Sequence, residues 1–331
     1  MEILYSGFDT IDFSVKGALS AKVLTELEVA KAEAEKHQSI VLFKAGPDNV
    51  AVHVHESGLR GGFTFRISTG PTGEIIGIKN STDPDQWNFT ISIRAASLAT
   101  KGWQKARQDA WDLIAGLGAM VNEHSVRRID YAIDIRIPHW DLRLESFVAH
   151  SRSTVRPHWG KKNANDIDEF TPQTVTKGRK LSTVTIGKMP GRQIIAYDKK
   201  TASIEKRELF WFDLWNVPKD TPDLEIMRVE LRAGKSELKN KWQIRTFEDV
   251  ENAIGDVFER LTADIRYLAP QQSDSNVSRQ TSDPLWNLVR GHLSQKLFDL
   301  RSGLTPDQVR EMKRKEALRT YQKLILGNAA G

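Results

Sequence analysis

The sequence predicts an α+β protein, in which helices pack on an antiparallel β-sheet and a small helical unit follows. Three observations support this class. Short apolar runs between residues 39 and 97 are separated by Gly, Asn, Asp and Pro, a pattern typical of an antiparallel sheet. Other segments place apolar residues at helical spacing. After a polar stretch at 269–283, only helical patterns occur.

In the first half of the chain, residues 1–15 alternate loosely and are predicted as a strand, followed by a helix at 19–37. An amphipathic helix is predicted over 98–120. A strand over 128–137 then stops at Pro138. Between the two helices, the predicted strands are 40–43, 50–55, 62–68, 74–78 and 89–93.

In the second half, Gly and Pro at 187–191 predict a hairpin loop between two strands. Thr305 is a candidate N-cap for the last helix. A stretch at 269–283 that is rich in Gln, Ser, Asn and Asp is predicted as a linker between a main domain at 1–268 and a helical C-terminal unit at 284–331. The predicted strands are 181–186, 192–197 and 224–233, and the predicted helices are 144–151, 247–268, 285–300 and 306–326.

The composition excludes several classes of site. The 331 residues include no cysteine, which rules out disulfides, thiolate metal ligands and cysteine nucleophiles and fits a cytoplasmic chain. No apolar run approaches the roughly 18 residues that cross a bilayer. Asp9, Asp12 and Lys16 interrupt the first 20 residues, which therefore do not resemble a signal peptide.

The net charge of +5, from 48 basic and 43 acidic residues, is a modest excess. The clustering of the basic residues is more informative, because such faces suit phosphate backbones. Two solvated faces are the alternative. The clusters are Lys177, Lys180, Lys188, Arg192, Lys199 and Lys200 near the hairpin, and Lys313, Arg314, Lys315, Arg319 and Lys323 in the tail.

Tyr197 ends a strand-like run and is followed by Asp198, Lys199 and Lys200. A phenol beside lysines suits attack on a phosphodiester, with the tyrosine as nucleophile and Lys199 shielding the developing charge. A half-buried core tyrosine with a wet hydroxyl is the alternative. Lys200 points away from the tyrosine's face if the strand continues.

Asp130 and Asp134 lie on one face of a predicted strand, with the small Ala132 between them. Two such carboxylates suit a hard divalent cation, Mg²⁺ or Mn²⁺, which prefers oxygen ligands. An exposed polar face is the alternative. The residues at 129, 131, 133 and 135 point the other way, into a core.

Glu230 shares a face with Arg228 and Arg232 and is a third candidate metal ligand. A surface strand whose arginines pair with the glutamate is the alternative. His53 and His55 also share a strand face and could bind a metal through imidazole. Their His-hydrophobic-His string matches that of the HUH endonucleases, but it lies far from Tyr197 along the chain.

Motifs for other chemistry are absent from the sequence. It contains no GxxxxGK[ST] phosphate loop, which argues against an ATPase motor, and no HExxH or GxSxG string. Tryptophans can stack on bases. The helical positions of Trp103, Trp111, Trp211 and Trp215 favour packing instead.

Four short motifs in order resemble the Rep_trans family, the replication initiation factors of rolling-circle plasmids and phages with related relaxases of mobile elements. They lie at 128–134, 183–188, 195–199 and 228–231, and the resemblance covers about residues 60–260. The chain departs from the family pattern at Thr185, Lys188 and Ile195.

The resemblance implies a sheet distantly like that of HUH endonucleases and a tyrosine nicking–joining activity. Tyr197 would form a 5′-phosphotyrosine and leave a free 3′-hydroxyl, with Asp130, Asp134 and Glu230 as candidate ligands of Mg²⁺ or Mn²⁺. The implied partners are double-stranded origin DNA, the single-stranded nick site, and a host helicase and polymerase. A homodimer stays open. The candidate DNA-binding residues are Lys188, Arg192, Lys200, Arg228, Arg232, Lys313 and Arg314.

Two alternatives to a replication initiator remain at this point. One is a conjugative relaxase of a mobile element with the same chemistry. The other is a catalytically inactive DNA-binding regulator on the same scaffold, which the departures at Thr185, Lys188 and Ile195 keep open.

Overall fold

The computed structural model describes residues 1–139, 142–149, 173–177, 180–270 and 274–329. It combines helices with a large antiparallel sheet and confirms the predicted α+β class. The chain forms two compact units. One comprises Met1–Trp140 and Ala196–Arg232, and the other Asp141–Ile195 and Ala233–Gly331.

The first unit is built on a sheet whose hydrogen-bonded order is β2-β3-β4-β5-β6-β1-β7-β12-β11. Of the last two strands, this unit holds the residues up to 232 of β12 and from 196 of β11. Its elements are β1 (Glu2–Ala18), α1 (Ala21–His37), β2 (Val41–Ala45), β3 (Val50–Val54), β4 (Phe65–Ser68), β5 (Ile75–Ile78), β6 (Phe89–Ile93), α2 (Ala95–Lys101), α3 (Trp103–Gly116), β7 (Met120–Ile137), β11 (Arg192–Asp198), α4 (Lys199–Glu205), α5 (Phe210–Trp215) and β12 (Glu225–Gly234).

The long antiparallel pair β1–β7 is the centre of this unit, and helices cover it on both faces. On one face, Phe8 packs against Trp103 of α3 with ring centroids 5.4 Å apart. On the other, Tyr5 packs against Trp211 of α5 at 5.1 Å. Both faces of β7 are therefore dry near its C-terminal end. This is why residues Ile129 to Ile135 are buried without the usual alternation.

The helix predicted over 98–120 is wrong in its extent. Gly102, with φ of 77°, separates α2 from α3, because an α-helix cannot continue through a residue in that conformation. The strand predicted from 128 begins at Met120, and its exposed first residues lack the apolar pattern that would have marked them. The strands predicted between 40 and 93 are all present.

The second unit contains two antiparallel pairings, β10 with β9 and β13 with β8. Helix α6 begins with a capping box, in which the Thr246 side chain accepts from the Asp249 amide and the Asp249 carboxylate accepts from the Thr246 amide. The further elements of this unit are β8 (Phe147–Ala149), β9 (Gln173–Lys177), β10 (Lys180–Gly187), α6 (Phe247–Asp264), β13 (Ile265–Tyr267), α7 (Pro284–Lys296) and α8 (Pro306–Ala329).

Two helix predictions in this unit need correction. Over 144–151 the structure has a 3₁₀ turn and then β8, while residues 150 and 151 lie outside the described residues. Phe147 packs on Tyr267 with ring centroids 4.7 Å apart, so tertiary contact rather than local propensity sets the strand. The helix predicted to end at 268 ends at Asp264 and continues as β13.

The C-terminal helices belong to the same compact unit as α6. Trp286 of α7 donates to the Thr262 carbonyl at 3.1 Å, and the Asp256 carboxylate accepts from the Ser302 amide at 2.7 Å. Thr305 caps α8 as predicted, because its hydroxyl accepts from the Gln308 amide at 3.4 Å.

The predicted linker folds back towards β13. The Arg266 guanidinium donates to the carbonyls of Val277 and Gln280, and residues 271–273 lie outside the described part. Independent domains bounded at 268 and 283 stay a prediction. No helix in the described ranges has the length and apolarity that a membrane span needs.

Candidate functional site

Three neighbouring strands of the first unit bring the strongest candidates together. Asp134 lies on β7, Glu230 on β12 and Tyr197 near the end of β11, and these strands are adjacent in the sheet. Because side chains alternate along a strand, the acids of β7 and β12 fall on the face that α5 covers. The predicted shared face of Asp130 and Asp134 is buried, so the exposed polar face considered as an alternative is wrong.

The Arg228 guanidinium is the centre of this face and is fully buried. It grips Asp134 with two hydrogen bonds, Nε to Oδ1 at 2.5 Å and a terminal nitrogen to Oδ2 at 2.7 Å. Its other terminal nitrogen donates to Asp9 at 2.7 Å. The Trp211 ring lies under the guanidinium at 4.0 Å, and Trp215 donates its indole N–H to Asp134 at 2.8 Å. Arg228 therefore holds one buried and one partly buried carboxylate in one rigid arrangement.

Asp9 reaches Arg228 because β1 carries an irregularity there. The β1–β7 register shifts between the pairs Phe8–Tyr131 and Thr10–Asp130, which leaves Asp9 as the extra residue of a bulge. A bulge turns one side chain away from strict alternation. Burial raises the pKa of the Asp9 carboxyl, whereas the Arg228 charge opposes this shift.

Asp130 belongs to a neighbouring set of charges. The Arg128 guanidinium donates to both of its carboxylate oxygens, with Nε at 2.9 Å from Oδ1, and Arg232 lies 3.5 Å away. Burial raises the pKa of Asp130, and the hydrogen bond and charge of Arg128 pull in the opposite direction. Arg232 also donates to Glu230 at 2.7 Å.

Tyr197 is half-buried, and its hydroxyl donates to the second oxygen of Glu230 at 3.4 Å. Burial raises the pKa of the phenol far above its usual value, and the Arg228 charge opposes that shift. Burial also acts on Glu230, but Arg232 and its hydrogen bond hold the pKa of this carboxyl below its usual range. The pair is thus a neutral phenol facing an ionised carboxylate.

Lys199 follows directly where the strand becomes a helix. Asp198 ends β11 and caps α4, because its carboxylate accepts from the amide and the hydroxyl of Thr201 at 2.9 and 2.7 Å. The Lys199 ammonium lies 3.2 Å from Glu208 and 4.4 Å above the Trp211 ring. Burial, and then the Arg228 charge, lower the pKa of Lys199 to about 8.

The three predicted metal ligands do not fit a ready-made cation site. Asp134 accepts three hydrogen bonds from Arg228 and Trp215, Asp130 pairs with Arg128, and Glu230 accepts from Arg232 and Tyr197. Within the described ranges, no group of three or more His, Asp or Glu side chains is arranged to hold a metal. The requirement for Mg²⁺ or Mn²⁺ stays a prediction without a ligand set.

The predicted DNA-binding residues differ in burial and in their hydrogen-bond and ion-pair partners. Arg228 is buried in the ion pairs described above, and Arg192 is also buried, 2.7 Å from Asp264. Lys200 lies on α4 and donates to the Thr221 carbonyl at 3.0 Å, so the premise that the strand continues past it does not hold. Lys188 is exposed in the hairpin loop.

On α8, Lys313 lies 3.3 Å from Asp249, and Arg314 pairs with Glu311 within the helix. Both are exposed and belong to the second unit, as does Arg192. The side chains of Lys177, Lys180 and Lys323 lie outside the described part of the chain.

Several residues of the site were not singled out from the sequence. Asp9 was noted only as a charge in the first strand, and its bulge has no local signal. Trp211 and Trp215, four residues apart, were expected to pack, and they do, but the indole N–H bond to Asp134 was not anticipated. A buried tryptophan usually needs an acceptor for its indole N–H, and this requirement could have indicated that Trp215 pairs with a buried acid.

Comparison with known proteins finds a similar solved structure but no matching family. No family model matches the chain, and no curated protein matches it. Among solved structures, the chain is similar to a rolling circle replication initiator protein from Geobacillus stearothermophilus, with 13% identity and a TM-score of 0.43 over 90% of this chain and 97% of that one. A likeness of this size carries no conclusion about the activity of this chain.

Proposed function

We propose that this chain initiates rolling-circle replication by cutting and rejoining one strand of DNA through Tyr197. The observation that carries the proposal is the contact between the Tyr197 hydroxyl and the Glu230 carboxylate, 3.4 Å apart, at the point where β11 meets α4. The order of the four sequence motifs supports the same proposal, since Tyr197 and Glu230 stand in two of them.

In the proposed reaction, the Tyr197 oxygen attacks the phosphorus of a phosphodiester and its proton passes to Glu230. A bond from the tyrosine oxygen to phosphorus forms, the bond from phosphorus to the 3′-oxygen breaks, and the leaving 3′-oxygen takes a proton that Lys199 can supply. The products are a 5′-phosphotyrosine and a 3′-hydroxyl, which a host polymerase extends. A base is required because burial keeps the phenol protonated, and Glu230 is the carboxylate that faces it.

We assign Lys199, two residues after Tyr197, the role of acting on the leaving oxygen or on the developing phosphate charge. Its pKa of about 8 leaves it charged near neutral pH yet able to release a proton. Arg228 is not available to a phosphate, because its Nε and both terminal nitrogens donate to Asp134 and Asp9. We assign Arg228 the role of positioning the residues around Tyr197. A host helicase as partner also stays part of the proposal.

The test is nicking of supercoiled DNA from the element that encodes the chain, followed as open circles on a gel. Tyr197→Phe should reduce the product to background while DNA binding is retained, because only the hydroxyl is removed. Tyr131→Phe is the matched control, since Tyr131 packs against Phe8 on the other face of β7 and should nick normally. Normal nicking by Tyr197→Phe would remove Tyr197 from the mechanism.

A second candidate is a DNA-binding regulator that does not cut. It is favoured by the raised pKa of Tyr197 and by the pairing of every carboxylate in the cluster with a cation. Such a protein would shift the mobility of the same DNA without producing open circles, and Tyr197→Phe would change neither result.

A further inference from the structure

A second, separate set of basic side chains lies on β3 and β4 of the first unit. His53 of β3 and His55, the residue directly after this strand, alternate with Val52 and Val54, which are fully buried on the opposite face. His53 pairs with Ser68 of β4, and the His55 amide donates to the Arg66 carbonyl at 2.9 Å. The histidines, Ser68 and Arg66 therefore form one patch on one face of the sheet.

This patch forms part of the lining of a cavity of about 350 Å³. Arg94, just after β6, also lines the cavity, and Ile40, Pro71 and Ile75 supply apolar walls. None of the nine lining residues, all within the described part of the chain, is an acid. A volume of this size lies within the range of small-ligand sites, which runs from about 300 to 1,000 Å³.

Arg66 is the unusual member of the lining. Its Nε is buried and has no hydrogen-bond partner among the described residues. A buried guanidinium N–H without an acceptor is costly, and proteins rarely keep one unless a ligand or water completes it. His55 offers a further polar group, since its ring nitrogen lies 3.0 Å from the Ser68 hydroxyl.

We propose that this cavity binds the phosphate of a nucleotide, with Arg66 and Arg94 holding the phosphate and Ile40, Pro71 and Ile75 contacting the sugar or base. Guanidinium groups match phosphate oxygens in charge and geometry. The apolar walls distinguish a nucleotide from a bare inorganic anion. The ligand is either a free nucleotide or one nucleotide of a DNA strand. The proposal does not depend on cleavage by Tyr197.

The histidines give the cavity a rival explanation. His53 and His55 were candidate metal ligands from the sequence, and both line this cavity. No third His, Asp or Glu completes a metal set with them in the described ranges. Direct recognition by the arginines predicts binding that survives EDTA, whereas a metal bridge predicts that EDTA abolishes it.

The test is calorimetric titration of the full chain with thymidine 5′-monophosphate and, separately, with thymidine. The monophosphate should bind at least tenfold more tightly than the nucleoside. Arg66→Gln should weaken the monophosphate at least tenfold, and Arg94→Gln should weaken it severalfold. Arg60→Gln is the matched control, because Arg60 is exposed and does not line the cavity.

A ten-residue thymidine oligonucleotide distinguishes the two sources. If it competes with the monophosphate and loses affinity in Arg66→Gln, the ligand is part of a strand, and if it does not compete, the ligand is a free nucleotide. Circular dichroism checks that each variant is folded, and Arg94→Gln, an exposed position, decides the matter if Arg66→Gln unfolds. Equal affinity for monophosphate and nucleoside, unchanged binding in both arginine variants, or loss of binding in EDTA would each overturn the proposal.

Discussion

The charged cluster around Arg228 and the cavity around Arg66 lie in the same unit, but the two arginines differ in whether their guanidinium N–H groups have hydrogen-bond acceptors. Arg228 is fully buried and is satisfied by Asp134, Asp9 and the face of Trp211. Arg66 has a buried N–H that no described residue accepts, in a cavity whose lining contains no acid. Arg228 therefore holds other groups in place, whereas Arg66 is the arginine to which we assign a ligand.

The largest expected effect is a difference in the free energy of unfolding between variants of these two arginines. Arg228→Met leaves the buried Asp134 and the partly buried Asp9 without this cation, and it should lower the free energy of unfolding by about 3–5 kcal/mol. Arg66→Met removes a group that has no ion pair among the described residues and should cost far less. Urea denaturation of both variants measures the difference. Equal losses would show that the two sites do not differ in this way.

A smaller loss is expected when only one donor to Asp134 is removed. Trp215→Phe deletes the indole N–H that lies 2.8 Å from the carboxylate, and it should cost about 1–3 kcal/mol in urea denaturation. Trp111→Phe is the comparison variant, because Trp111 is only half-buried and packs against Phe13 and His124. A larger loss in Trp111→Phe than in Trp215→Phe would argue against the importance of the Asp134 bond.

The pH dependence of nicking tests the proposed role of Lys199. Its pKa is lowered to about 8, with Arg228, Glu208, Asp134 and Asp9 as the charges that act on it. If the protonated ammonium is needed, the rate should fall by up to about tenfold per pH unit above pH 8. Lys199→Arg keeps its charge to higher pH and should show no such fall. Parallel profiles for both proteins would rule out this role.

The lowered pKa of Lys199 also makes the free energy of unfolding depend on pH. The pKa of the group is lower in the folded protein than its ordinary value near 10.5. Between pH 8 and about 10.5 the unfolded chain therefore binds more protons, so the contribution of Lys199 to stability increases as the pH rises through this window.

The smallest expected effect concerns α8. Arg314 and Glu311 form an exposed pair within the helix, so Arg314→Gln should leave the free energy of unfolding almost unchanged. If Arg314 contacts a phosphate, the slope of log K against log salt for DNA binding should fall by about 0.9. An unchanged slope in a gel-shift titration would remove Arg314 from the DNA-binding residues. Truncation before α7 is unsuitable, since Trp286 packs into α6.

The fold class and most strands followed from apolar patterning, because both depend on local periodicity. The end of α2 at Gly102 and the absence of a helix from residue 144 could not be predicted in this way. The first depends on the backbone angle of Gly102, and the second on the contact between Phe147 and Tyr267. The sequence placed Asp130, Asp134, Glu230 and Tyr197 on the strands where they lie.

The partners of these residues depend on the three-dimensional arrangement. Arg228 was expected to contact DNA, but it is enclosed by Asp134 and Asp9, which lie 94 and 219 residues away along the chain. A short sequence motif cannot show contacts between residues that are so far apart along the chain. Asp130 and Asp134 of β7 looked like metal ligands because cations that pair with them, Arg232 and Arg228, lie on another strand, β12, and this pairing is not visible in the sequence.

The central claim is that Tyr197 becomes covalently joined to DNA. The most direct measurement is mass spectrometry of tryptic peptides after the full chain has reacted with the element's own DNA and the DNA has been digested by nuclease. The account predicts a nucleotide phosphate on the peptide that contains Tyr197, absent in Tyr197→Phe and reduced in Glu230→Gln. Cut DNA with no modified peptide, or a modification on Tyr131, would contradict it.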